Sequence, residues 1–222
     1  MKKDMTNGSP WKLIIAFGIP LVIGNIFQQF YNMVDSIIVG KYVGKVALAA
    51  VGSTGSLNFM IIGFGIGICS GFGIPIAQSF GGKKIKQMKE YIINAFYLCT
   101  IITIVMTIVT VLLLPKILTW MQTPSNIYDQ AYDYIVVIFL GLFATMIYNM
   151  LASILRAIGD SKTPLYFLIL SSVINIALDL YFITQLNMGA AGAAYATVIA
   201  QFISGIACYV YMKKKTDILT FE

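Results

Sequence analysis

The chain contains no histidine, so the side chain most often used for acid–base catalysis and zinc binding is missing from all 222 residues. Its three cysteines, Cys69, Cys99 and Cys208, lie in apolar stretches and show neither a CxxC motif nor metal-ligand spacing. Disulfides and a zinc site are therefore not predicted. No nucleophile, metal ligands or histidine form a catalytic constellation, so we expect neither an enzyme nor a cofactor.

Charged residues are also scarce. They make up 11% of the chain, against roughly 25% in soluble proteins, whereas 59% of the residues are hydrophobic. So little charge leaves too little polar surface to solvate a globule of this size, and membrane lipid is the expected partner. The net charge of +6 comes from short basic runs between apolar stretches, which argues against nucleic acid as a partner.

Long apolar stretches predict six membrane-spanning helices. Each has about 20 or more residues, enough to cross a hydrocarbon core of roughly 30 Å, and without period-two alternation these stretches cannot form a barrel. The predicted spans cover approximately residues 11–40, 47–74, 91–114, 131–157, 163–184 and 189–212. We therefore predict an all-α membrane protein, a six-helix bundle in one domain over residues 1–222. Met121–Asp133 is predicted to be its longest outer connection.

The distribution of lysine and arginine predicts that both termini lie in the cytoplasm. With the amino terminus inside, 12 of the 15 basic residues fall in inner segments, and a multi-pass protein of the cell membrane is expected. The outer basic residues are Lys41, Lys45 and Lys116. The inner ones are Lys2, Lys3, Lys12, Lys83, Lys84, Lys86, Lys89, Arg156, Lys162, Lys213, Lys214 and Lys215.

Two of the nine acidic residues, Asp35 and Asp179, fall within the predicted spans. A charged aspartate at a helix centre costs roughly 2.5–3.5 kcal/mol, so both acids are predicted to have a function. Asn25, Gln28, Asn32 and Asp35 are spaced by three and four residues and form one polar stripe on span 1. Such a stripe is predicted to face a cavity or another helix, because it cannot face lipid.

Three other spans carry polar seams at helical spacing: Asn149 lies on span 4, Asn175 and Asp179 on span 5, and Thr197 on span 6. The four seams are predicted to converge on a wet interior. For a hydroxyl such as Thr197 taken alone, a hydrogen bond between helices is the simpler interpretation.

Carboxylate, amide and hydroxyl oxygens suit a small hard cation, so Asp35, Asn175, Asp179 and Thr197 are candidate ligands for a sodium ion. The same carboxylates could instead bind protons, because an apolar environment favours the neutral form of a carboxyl group. Either use makes an ion-coupling device, and the sequence does not choose between them. Pro20 in span 1 is a candidate hinge, with a static kink as the alternative.

Five motifs occur in order along the chain: IPLVIGNIFQQFYNMVDSIIVGKYVG, LAAVG, AQSFGGKK, LRAIGDSKTP and MGAAGAAYATVIAQ. Together they make the chain resemble the N-terminal half of a multidrug and toxic compound extrusion (MATE) transporter, closest to the branch named after DNA-damage-inducible protein F. The resemblance implies one lobe of a twelve-helix antiporter. It also implies that an inward flow of sodium ions or protons drives the export of organic cations or other amphipathic small molecules.

The resemblance also implies roles for individual residues. Relatives have an ion-coupling site at positions matched by Asp35, Asn175, Asp179 and Thr197. Their cavity residues are matched by Tyr134 and Asn149, to which the polar stripe adds Gln28 and Asn32. The helix 1 proline that bends in such relatives is matched by Pro20.

The chain departs from the family pattern because it has no second six-helix lobe. Three interpretations stay open: the N-lobe of a longer protein, a half-transporter that forms a homodimer, and a remnant that does not transport. A lipid-linked saccharide flippase of the same superfamily is the alternative function, although no cationic residue lies mid-span as such a flippase would need. A non-transporting assembly subunit is a further alternative.

Overall fold

The structure is a computed structural model that describes residues 9–215. Lys2 and Lys3, two of the predicted inner lysines, lie outside the described residues. Within the described range the chain forms seven α-helices and no strand. They are α1 (Pro10–Tyr42), α2 (Lys45–Gly81), α3 (Ile85–Trp120), α4 (Ser125–Leu140), α5 (Leu142–Ala157), α6 (Lys162–Thr184) and α7 (Gly189–Lys215).

Within residues 9–215, five helices are long and apolar enough to cross a membrane by themselves: α1, α2, α3, α6 and α7. Helices α4 and α5 meet the same criterion only as a pair, which is bent by 47° at Gly141. Counting that pair as one broken span gives six. The prediction of an all-α, multi-pass membrane bundle is therefore confirmed, with the fourth span bent rather than straight.

The prediction that Met121–Asp133 forms one long connection is wrong, because α4 already begins at Ser125. Only Met121–Pro124 connects α3 to α4. The first turns of α4 are polar, so their low hydropathy placed them outside the predicted span. For the same reason α2 and α3 extend past the predicted ends of their spans: hydrophobicity marks the lipid-facing length of a helix, whereas backbone hydrogen bonding continues into polar residues.

Close turns reverse the chain between helices. The amide groups of Val43 and Gly44 both donate to the carbonyl of Val39, at 2.9 and 3.1 Å, and Gly44 has φ of 116°. Glycine adopts this backbone conformation without the steric cost that a side chain would bring, so only two residues separate the end of α1 from the start of α2.

Asp160, in the motif between the fourth and fifth spans, acts as a cap for α6. Its carboxylate accepts hydrogen bonds from the amides of Lys162 and Thr163, at 3.2 and 3.0 Å, and from the Thr163 hydroxyl at 2.6 Å. These bonds satisfy donors at the helix start that have no partner within the helix. Asp160 therefore has a structural role that accounts for its position.

Helix α7 lies at the centre of the lobe and α1 at its edge. In the most apolar window of each helix, 39% of α7 is buried but only 11% of α1, which packs mainly on α6. Small buried residues at the start of α7, including Ala190, Ala193 and Ala194, allow its neighbours to approach closely. The edge position leaves most of α1 uncovered in this lobe.

The buried side chains form two main clusters. The first core lies where α1 ends and α7 begins, and includes Val39, Ile135 and Ile183. The second core lies toward the opposite end and includes Ile76 and Ile154.

Gly141 at the bend between α4 and α5 contacts α7 directly. A Cβ atom added there would overlap both Cγ atoms of Val198 and lie 3.0 Å from its Cβ. The φ of Gly141 is −82°, so alanine suits the backbone and the obstacle is packing alone.

Replacing Gly141 with alanine is expected to lower the free energy of unfolding by about 1–3 kcal/mol, because the added methyl overlaps Val198. The same G141A substitution should lower the free energy of unfolding much less when it is made in a V198A background, because the smaller side chain leaves room for the added methyl. Gly67→Ala is the matched control, since nothing lies within 4 Å of its added methyl group. Thermal unfolding in detergent measures each variant, and equal effects of G141A and G67A would contradict this packing.

Candidate functional site

The candidate site is assembled from four helices at one end of the lobe. Asp35 lies seven residues before the end of α1, Asp179 five before the end of α6, and Thr197 eight after the start of α7. At about 1.5 Å per residue, each is roughly 7–12 Å from its helix end. Helix α4 contributes Tyr134. The site therefore lies inside the lobe but nearer to this end than to the middle of the long helices.

The two acids lie together between α1 and α6. Their carboxyl groups are within hydrogen-bonding reach of each other. Asp179 is fully buried and Asp35 is 8% exposed, so neither points outward to lipid. Among residues 9–215, no lysine or arginine is close enough to act as a counter-ion for either acid. Two adjacent carboxylates repel each other in an apolar interior, and a proton or cation held between them relieves that repulsion.

Thr197 connects three helices through its hydroxyl group. The amide nitrogen of Asn175 donates to Thr197 Oγ1 at 3.1 Å, and the hydroxyls of Tyr31 and Thr197 share a hydrogen bond of 3.3 Å. These bonds hold α1, α6 and α7 together beside the acids. The side-chain amide oxygen of Asn175, Oδ1, has no hydrogen-bond donor among the described residues.

Four buried oxygen atoms at the site have no hydrogen-bond donor within the described residues: Oδ1 of Asp35, Oδ1 of Asn175 and both carboxylate oxygens of Asp179. An unpaired buried acceptor costs about 1–3 kcal/mol, and more when it is charged. Oxygen atoms are the ligands that hard cations prefer. The residues present thus fit an ion-binding site.

The charge of the site favours a monovalent ion or a proton over a resident divalent metal. The described residues contain no group of three or more His, Cys, Asp or Glu side chains that could hold a metal. The cluster offers two carboxylates, with Asn175 and Thr197 as neutral oxygen donors. Affinity for a divalent ion such as calcium rises with the number of charged ligands, so this set suits weaker, reversible binding.

Sequence reasoning missed Tyr31. It lies four residues before Asp35 on the same face of α1, and that spacing could have identified it. The predicted ion site rested on carboxyl, amide and small hydroxyl side chains only. Tyr134, which the family resemblance had suggested, is buried, with 7% of its surface exposed. It is close enough to Tyr31 and to both acids to interact with them electrostatically.

The remaining predicted residues do not join the cluster. Gln28 and Asn32 are exposed on the lobe surface, and Asn149 donates to the carbonyl of Thr145 in its own helix at 2.8 Å. Pro20 is buried within α1, which continues as one helix through it. The whole stripe on α1 is predicted to face a cavity or another helix; within this lobe only Asp35 of its four residues is buried, and the other three are exposed. The reason is that α1 packs along one side only.

Comparisons with known proteins give a consistent result. A protein-family model described as MatE matches residues 20–181. The chain is 34% identical to the probable multidrug resistance protein YoeA of Bacillus subtilis, over 96% of this chain and 47% of that protein. It is 32% identical to YpnP, another probable multidrug resistance protein of that organism, over 95% of this chain and 47% of that protein.

Solved structures share the fold. A transporter of the MOP superfamily from Pyrococcus furiosus superposes with a TM-score of 0.89 at 28% identity, which covers 97% of this chain and 48% of that chain. A MATE mutant superposes with a TM-score of 0.88, also at 28% identity, over 97% of this chain and 49% of that chain. The chain thus spans about half the length of the relatives it matches.

Thr197→Val is expected to lower the free energy of unfolding by about 1–3 kcal/mol, because it removes the hydrogen-bond partner of Asn175 and Tyr31 in a buried site. Thr197→Ser keeps the hydroxyl and should stay close to wild type. Thr184→Val is the control, because Thr184 is exposed and its hydroxyl bonds only to a carbonyl of its own helix and to the side chain of the next residue. Thermal unfolding measures all three, and a T197V variant no less stable than T184V would contradict these contacts.

Proposed function

The chain belongs to the MatE family, the multidrug and toxic compound extrusion transporters, and we propose that it forms the N-terminal lobe of a cation-coupled multidrug exporter. In this proposal an inward flow of sodium ions or protons across the cell membrane drives the outward movement of organic cations or other amphipathic small molecules. The lobe carries the site that binds the coupling ion.

The observation that carries the proposal is the pair of buried acids without a counter-ion. Asp35 and Asp179 lie side by side, and three of their oxygen atoms are buried with no donor. A fold stabilised only by packing gains nothing from such a pair, since apolar residues of similar size would cost less. In a membrane protein, ionisable residues held inside the bundle mark the pathway of an ion or proton.

The ion would act through the spacing of α1 and α6. Without it, repulsion between Asp35 and Asp179 pushes the two helices apart; once an ion is bound, the attraction of both carboxylates to it draws them together. Helix α1 can respond because it lies at the edge of the lobe and because Pro20 removes one of its backbone hydrogen bonds. We propose that this shift lowers the affinity of the lobe for the exported compound.

The exposed part of the polar stripe is the proposed substrate surface. Gln28 and Asn32 lie on the side of α1 that the lobe leaves uncovered, where they would not meet lipid if a second lobe faced them. Six further helices from a longer protein, or a second copy of this chain, could supply that lobe, because two lobes of the same orientation pair naturally about an axis normal to the membrane. Tyr134 and Asn149 complete the proposed cavity residues.

Sodium binding to the purified chain should give a measurable heat in isothermal titration calorimetry at several pH values. Asp35→Asn and Asp179→Asn should abolish that heat, because each removes one of only two anionic ligands. Asp129→Asn is the matched control: it makes the same chemical change at an exposed position on α4 and should bind as wild type does.

If protons alone are the coupling ion, sodium gives no heat, and the wild-type chain takes up protons on acidification that D35N and D179N do not. Both variants behaving as wild type toward sodium and protons would disprove the proposed site. Full ion-coupled efflux by D35N would also count against it.

A further inference from the structure

The second core contains two cysteines whose side chains touch. The sulfur atoms of Cys69 on α2 and Cys99 on α3 are 3.9 Å apart, and both thiols are free. Cys69 is fully buried and Cys99 is 5% exposed. The pair belongs to a different buried cluster from Tyr134 and the other first-core residues around the acids. Neither the ion site nor the proposed substrate surface uses it.

A third sulfur atom is held one helical turn away. A Cβ atom on Gly65, four residues before Cys69, would lie 2.5 Å from Sδ of Met146, so this thioether occupies the space that the glycine leaves open. The carbonyl oxygen of Met146 lies 3.8 Å from the sulfur of Cys69. Helix α5 therefore brings a soft donor atom to the face of α2 that carries the thiol.

Hydroxyl groups fix the backbone at both cysteines. Ser153 on α5 donates to the Cys69 carbonyl at 2.7 Å, and Thr103 donates to the Cys99 carbonyl at 2.6 Å. The Ser153 bond crosses from α5 to α2, which fixes the position of the helix that carries Met146 relative to the thiol. The spacing of the sulfurs is thus set by the fold rather than by the cysteines alone.

The distance between the thiols fits three-coordinate metal binding. A metal at about 2.3 Å from each of two sulfurs, with an angle near 120° between the bonds, separates those sulfurs by about 4.0 Å. The observed 3.9 Å is within about 0.1 Å of this value. Thiolate and thioether ligands select soft ions such as copper(I), whereas hard ions such as sodium prefer the oxygens of the acid site.

We propose that Cys69 and Cys99, with Met146 as the third ligand, form a binding site for a soft monovalent metal ion of the copper(I) and silver(I) class. Binding of one such ion with release of one thiol proton to solvent leaves the site without net charge, as a low-dielectric interior requires. Arg156 is close enough to Cys69 to act on it electrostatically, so its guanidinium group can offset the charge if the second thiol also ionises.

Silver(I) is the probe, because it has the same ligand preference and needs no reductant to keep its oxidation state. The full chain, purified in detergent with its thiols reduced, is loaded with silver and passed through a competing thiol buffer. The silver that remains is then counted by elemental and native mass spectrometry. Wild type should retain one silver ion per chain, and Cys69→Ser and Cys99→Ser should each weaken retention by at least about ten-fold.

The chain supplies a matched control. Cys208→Ser removes a thiol that is equally buried in the same cluster, and it should retain silver as wild type does. Met146→Leu keeps the volume of the side chain but not the thioether, so it should weaken retention. Serine at the cysteine positions can bond to a carbonyl of its own helix, and thermal unfolding checks that each variant is folded.

Three results of the retention measurement would overturn the site. One is loss of silver by C208S to the same extent as by C69S. Another is a number of silver ions per chain that falls by one for every cysteine removed, because this would show that each thiol binds silver by itself. The third is no retained silver in the wild type. X-ray absorption of the silver-loaded chain should show sulfur neighbours only, and oxygen neighbours would contradict the ligand set. None of these outcomes bears on sodium binding.

Discussion

The contact between Asp35 and Asp179 is the interaction on which the proposed function of this lobe depends. It brings two like charges together inside a membrane protein, with no basic residue among the described residues to offset them. In the proposed function a bound proton or cation relieves this repulsion, which would link the occupancy of the site thermodynamically to the packing of α1 on α6. The hydrogen bonds that Thr197 makes to Asn175 and Tyr31 keep the third helix, α7, in place around the acids.

The rest of the fold determines which helix would respond to the proposed ion. Helix α7 is the most buried of the single spans and its small residues pack closely, whereas α1 is held along one side and contains Pro20. A change in repulsion at the acids is therefore expected to move the edge helix rather than the central one. The end of the lobe that carries the cysteine pair has its own buried cluster. A metal bound to the cysteines therefore need not change the packing around the acids in the first core.

Much of the site could be predicted because its residues are costly in lipid. Asp35, Asn175 and Asp179 stand out in a sequence with 11% charge, and helical spacing puts Asn175 and Asp179 on one face. Tyr31 was not predicted from the sequence, because an aromatic side chain is common in a membrane helix. Cys69 and Cys99 were not predicted as a pair because thirty residues separate them, and sequence spacing carries no information about which faces of two helices meet.

The sequence by itself determined the membrane class, the number of spans and which polar residues fall within those spans, because hydrophobicity and helical periodicity are local properties of the chain. Only the tertiary structure decided that the two acids touch, that Gln28 and Asn32 stay on the surface, and that the fourth span bends at Gly141. These features depend on the rotation and contact of helices that are distant in sequence. Side-chain packing sets both, as the contact between Gly141 and Val198 illustrates.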